Sequence, residues 1–202
     1  MRIRTTALFT AALAATLVLG GCSAASEEAT PDVDHSTHGD TTASSAPVGT
    51  ANAADETFAT MMIPHHEQAV EMADMILDKD GVDTRVTELA QQIKDAQAPE
   101  IETMTGWLNE WGVSLDSGMA GHDMGDDGMM DESAMTALDD ADGADAARLF
   151  LEGMVMHHEG AIDMAESELA DGQFPDALEL AQQVIDGQSA EITTMNDILD
   201  TL

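Results

Sequence analysis

Cysteine occurs once, tyrosine never, and lysine and arginine together only 6 times against 40 aspartates and glutamates. A single cysteine allows no intramolecular disulfide, no CxxC redox pair and no thiolate cluster, so the fold must stand on its apolar core. Any soft metal ligand must then be methionine or histidine. The shortage of basic residues leaves a formal net charge of −34. Such a surface repels phosphate backbones and anionic head groups, which excludes nucleic acid as a partner and favours cations. An acidic surface also keeps an exported protein soluble, whatever else it does. There is no Gly-x-Ser-x-Gly, no glycine-rich phosphate loop and no His-Glu-x-x-His. These absences favour a binding protein over an enzyme.

The first 21 residues, MRIRTTALFTAALAATLVLGG, place Arg2 and Arg4 before an apolar stretch. That stretch is too short and too weakly apolar for a stop-transfer helix, and reads as a secretory signal. It ends in Leu19-Gly20-Gly21-Cys22, which resembles a bacterial lipobox. The expectation is cleavage before Cys22, lipidation there, and an extracytoplasmic protein anchored to the bacterial cell membrane. Residues 22–55 are small, polar and without apolar periodicity, as in a disordered tether. His35 and His38 beside Asp40 read as a chance pair within it.

From Phe58 the pattern turns helical. Phe58, Met62, His65, Ala69, Met72 and Ile76 recur at spacings of three and four. Pro64 predicts that this helix begins close to it or bends there. DKDGVD at 78–83 reads as a turn, and a second helix is expected over 84–111 with a kink or break at Pro99. Residues 112–143, rich in Gly, Asp and Met, read as an irregular crossover. A third helix is expected from about 144 to 170, a turn at DGQFPD, and a fourth from about 177 to the end.

The chain repeats itself. A shift of 92 residues aligns Phe58, Met62, His65, His66, Glu67, Ala69 and Met72 with Phe150, Met154, His157, His158, Glu159, Ala161 and Met164. A shift of 91 aligns LAQQI at 89–93 with LAQQV at 180–184, and Gln97, Glu100 and Met104 with Gln188, Glu191 and Met195. Each half, 56–111 and 144–202, is therefore a helical hairpin with an apolar face it cannot bury alone. The expected fold is all-α: an up-down four-helix bundle of two repeated hairpins, in a domain spanning 56–202.

The repeat also carries the candidate chemistry. Met62, His65, His66 and Met72 share one side of a helix, and Met154, His157, His158 and Met164 do so in the second copy. Imidazole suits copper, zinc, iron or nickel, and thioether selects Cu(I), so this set points first to copper. Methionine at helical spacing is usually core filler, the reading favoured for Met72, Met104, Met164 and Met195. A repeated His-His-Glu is harder to assign to packing. Four buried imidazoles need partners, either carboxylates such as Glu100 and Glu191 or a metal. Glu100 and Glu191 also suit the first carboxylate pair of a di-iron bundle, but the Glu-x-x-His spacing such sites use is absent at the repeated histidines. The crossover adds Met119, His122 and Met124 among residues that would not pack a core.

With both motifs in place, Met62-Ile-Pro-His65-His66-Glu67-x-Ala69-x-x-Met72-Ala73 and Met154-Val-Met-His157-His158-Glu159-x-Ala161-x-x-Met164-Ala165, the chain resembles the domain of unknown function 305 family. Gln97-x-x-Glu100-Ile101-x-x-Met104 and its copy at 188–195 match as well. The resemblance implies a ferritin-like four-helix bundle, exported, in a family with copper-associated members. Three functions follow for testing: a lipid-anchored protein that sequesters copper, as Cu(I), or passes it to a partner; a ferritin-type di-metal oxidase, with iron the less favoured ion; and a structural or interaction module without metal.

Overall fold

Asn52 sets where the first helix begins. Its side-chain oxygen accepts from the N–H groups of Ala54 and Asp55 at 2.7 and 3.1 Å, and the Asp55 carboxylate accepts from Asn52 N at 2.6 Å. This reciprocal capping box satisfies donors a helix start would otherwise orphan. In the computed structural model, which describes residues 50–115 and 127–202, the helix it opens is α1, Ala53–Leu77. Pro64 therefore lies well inside α1, not at its start. The cap outweighs the proline, which only removes the N–H that would have met the Thr60 carbonyl.

Helix α2 spans Thr84–Trp111, with Pro99 inside it. Asp83 caps its start, and Gly112 closes its end at φ 72°, a left-handed conformation that favours glycine. The crossover departs from the irregular segment expected. Residues Glu132–Asp140 form a short helix, α3, because Asp131 accepts from Ala134 N at 2.8 Å and Leu138 gives it one fully buried anchor. Helix α4 runs Gly143–Asp171 and α5 runs Pro175–Leu199, the latter opening on a proline where a missing N–H costs nothing. Among the described residues there are five helices and no strand. None is long and apolar enough to cross a membrane.

Helix α1 packs on α2, α4 packs on α5, and the two hairpins meet through α1 and α4. Two apolar clusters result. One takes Phe58 to Ile63 of α1, Met104 to Leu108 of α2, Ala161 and Ala165 of α4, and Ala177 to Val184 of α5. The other takes Ala69 to Ile76, Val86 to Ile93, Leu138, Ala146 to Met154, and Met195 with Ile198. The N-terminal half of α1 thus shares a cluster with the C-terminal halves of α2 and α4, which makes both neighbours antiparallel to it. Between the clusters each long helix contributes buried polar residues: His65 and His66, Gln97, His157 and His158, and Gln188.

Candidate metal centre

All four repeated histidines lie in that polar layer, each at most 1% exposed. Their helical spacing places them there: His65 follows Met62 by three residues and precedes Ala69 by four, so it shares the face that builds the core. The rings of His65 and His157 face each other across α1 and α4 with centroids 3.7 Å apart and planes tilted by 37°. His158 follows at 6.4 Å from His157.

Each hairpin fixes its second histidine with its own carboxylate. His66 donates Nε2–H to Glu100 Oε2 at 2.7 Å, and His158 donates to Glu191 Oε2 at 2.7 Å. A carboxylate has no proton to give, so Nε2 is the donor. His65 donates Nε2–H to the Asp127 carbonyl at 2.9 Å. His157 makes no hydrogen bond of normal geometry through either nitrogen; the main chain near His65 offers only a weak polar contact. Nδ1 of all four rings is buried without a partner.

Burial decides the charge of the stacked pair. It lowers the His65 pKa to about 3 together with the neighbouring His66 and His158, and against the Asp127 carbonyl, which favours the proton. Burial pushes His157 well below the usual imidazole range too, and the other three rings add to it. Both are neutral at pH 7 and both hold a free lone pair, the form that ligates a metal.

The sequence left two uses for Glu100 and Glu191; in the structure each accepts a hydrogen bond from a histidine. This is the carboxylate–histidine arrangement that orients imidazole toward a metal, though it serves equally as a buried ion-pair device. Met62 and Met154 are fully buried one turn before their histidines, in opposite clusters, so they bracket the imidazole layer from its two sides. Met72 packs in the cluster that holds Met154, and Met164 lies partly buried against the other. Met119, His122, Met124 and Cys22 lie outside the described residues, as do the signal segment and most of the tether. Among the described residues, no group of three or more His, Cys, Asp or Glu side chains is disposed to hold an ion by itself. The residues fit a soft ion that imidazole and thioether share, and fit a carboxylate-rich di-iron site less well.

Two residues of the layer carried a signal that the reading by residue type passed over. Gln97 and Gln188 stand one turn before Glu100 and Glu191, both buried, with Gln97 Oε1 and Nε2 and Gln188 Oε1 unpartnered. They are repeat equivalents, and a buried glutamine kept in both halves marks the same layer.

The crossover closes one side of the centre. Met130 N and O pair with Gln68 Oε1 and Nε2 at 2.8 and 2.9 Å, while Asp127 and Gly128 lie on α4 at Gly160. A Cβ on Gly160 would stand 1.9 Å from the Asp127 carbonyl oxygen, so only glycine admits the strap. Gln68 and Gly160 are equivalent positions in the repeat, and the two halves differ where one crossover must bind both.

Among the described residues this is an all-helical protein in which two hairpins enclose an imidazole layer. The chain belongs to the family described as a domain of unknown function, DUF305, which matches residues 55–199. Its solved relatives include a DUF305 protein from Streptomyces coelicolor, described as secreted, at 34% identity and TM-score 0.68, covering 73% of this chain and 91% of that one. A DUF305 fragment from Deinococcus radiodurans is similar at 29% identity and TM-score 0.67, covering 75% and 99%. CopM in its Cu(II)-bound form is similar at 33% identity and TM-score 0.60, covering 71% and 93%, and CopM has also been solved bound to Cu(I) and to silver. No curated protein matches the chain.

Proposed function

We propose that this chain is an exported copper-binding protein that holds Cu(I) through imidazole and thioether and sequesters it or passes it on outside the cytoplasm. One observation carries the reading: four fully buried imidazoles, each with an unpartnered Nδ1, in a layer where two of the rings are aimed by carboxylates. An unsatisfied buried polar atom costs roughly 1–3 kcal/mol, so a layer of them implies an occupant or a use. The copper and silver forms of CopM support copper as that occupant. The packing of two antiparallel hairpins supports a ferritin-like four-helix bundle. The lipobox at Cys22 supports a lipid anchor on the outer side of the bacterial membrane, and the Streptomyces relative supports export.

Titration of the full chain with Cu(I) against a competing chelator tests the reading. The wild type should bind more tightly than a His66→Ala/His158→Ala double variant; equal affinity would end it. A second reading has its own observation. The pairs His66–Glu100 and His158–Glu191 are complete without metal, as a structural module would need. That reading requires copper and chelator alike to leave the melting temperature unchanged.

A further inference from the structure

A groove opens on one side of α1 and α4. Its volume is about 320 Å³. Met61 lines it from α1, Met164 and Glu168 line it from α4, and Asp127 of the crossover lines it too. Asp127 is also the residue whose carbonyl accepts from His65.

Glu168 is the feature that packing does not explain. It is 1% exposed, and as a carboxylate neither oxygen has a hydrogen-bond partner. Its neighbour Asp55 is also fully buried; it accepts from the N–H groups of Asn52, Gln173 and Phe174, and it is the one acceptor that faces a proton on Glu168. The repeat supplies the control. A shift of 92 places Ile76 opposite Glu168, Ala147 opposite Asp55 and Gly153 opposite Met61. There Ile76 and Ala147 are fully buried in an apolar cluster, and the Met130 side chain lies against Gly153. The fold therefore needs neither the carboxylates nor the opening. One half of the molecule has closed this place with Ile76, Met72 and the Met130 side chain, and the other keeps Met61, Met164 and a carboxyl faced only by Asp55 around a cavity.

We propose that the groove is a second cation site, separate from the imidazole layer, which takes a soft monovalent ion on Met61 and Met164 with Glu168 as oxygen donor. Thioether gives the preference for Cu(I) or Ag(I), and the Glu168 carboxyl, which holds a proton at neutral pH, releases it to solvent as the ion binds, so that the carboxylate neutralises the ion's charge as it leaves water. The inference rests on the reading of the chain as a metal-binding protein, but not on the histidines being ligands.

The test is Ag(I) titration of the full chain at pH 7, labelled with 13C-methyl methionine and 15N histidine. The expected result is movement of the Met61 and Met164 methyl signals. A Met61→Leu/Met164→Leu variant, which keeps the volume, should bind one ion fewer while its imidazole signals still respond. Unmoved Met61 and Met164 signals with responding histidines would overturn the groove site and leave the proposed function intact. Moving methyl signals with silent histidines would uphold the groove and overturn the imidazole centre. Silence in both would overturn both. Glu168→Gln folds without the carboxylate charge; groove affinity equal to wild type would remove Glu168 from the site.

Discussion

His65 and His157 stack at 3.7 Å between the two hairpins, and neither can carry charge there at neutral pH. The pair is a contact between equivalent residues of the two repeats, so the repeat axis passes close to it. A proton on either ring would meet three other imidazoles and no carboxylate bonded to that ring.

Acid should therefore unfold the protein through these residues. Both folded-state pKa values lie below the unfolded value of 6.5, so the unfolded chain binds more protons below that pH. Stability is unaffected by the pair above pH 6.5. It falls as pH drops below 6.5, through His65 down to about pH 3 and through His157 in the same direction. Urea unfolding from pH 7.5 to 4 measures this, and a His157→Phe variant should flatten the slope.

Glu168 predicts the opposite limb. Burial, then Asp55 accepting its proton, then the charge of Asp55 together raise its pKa to about 8. The folded state then holds a proton that the unfolded state, near 4.5, releases. Stability from this group is present below 4.5 and is lost as pH rises through 8. Glu168→Gln, which mimics the protonated form, should lose less stability than wild type between pH 5 and 9. Parallel curves for the two proteins would count against a protonated Glu168.

Two glycines should respond to alanine with opposite signs. In Gly160→Ala the new methyl must displace the Asp127 carbonyl, so destabilisation of about 1–3 kcal/mol is expected, as for overpacked cores. In Gly187→Ala nothing lies within 4 Å, and a helix-interior alanine should stabilise by roughly 0.5–1 kcal/mol. Chemical denaturation of both variants checks this.

Glu100→Gln and Glu191→Gln test the aiming of His66 and His158. If the centre binds copper, each should weaken Cu(I) affinity by about 10–100-fold, the usual effect of losing a group that orients a ligand. Helical content should stay the same. Unchanged affinity would reduce both residues to structural partners of their histidines.

Much of this was legible in the residues. Apolar periodicity revealed the four long helices, and the internal copy at 154–169 showed that His65 and His66 have counterparts. Pro64 allows a helix start or a bend, and the Asn52–Asp55 capping box, only a three-residue spacing in the sequence, places the start eleven residues before the proline. The crossover helix was missed because nine residues with one buried leucine carry too little periodicity to read. Gln97 and Gln188 were visible as repeat equivalents but not as buried, since glutamine is usually exposed.

The sequence by itself determined which side chains share a helix face, because the 3.6-residue period is a local property. It determined that any soft ligand is methionine or histidine, because composition alone leaves no thiol. Only the tertiary structure decided that Glu100 and Glu191 hold His66 and His158, that His65 stacks on His157, and that Glu168 meets Asp55 across 113 residues of chain. Those pairings depend on how one helix crosses another, and nothing local to either partner encodes the crossing.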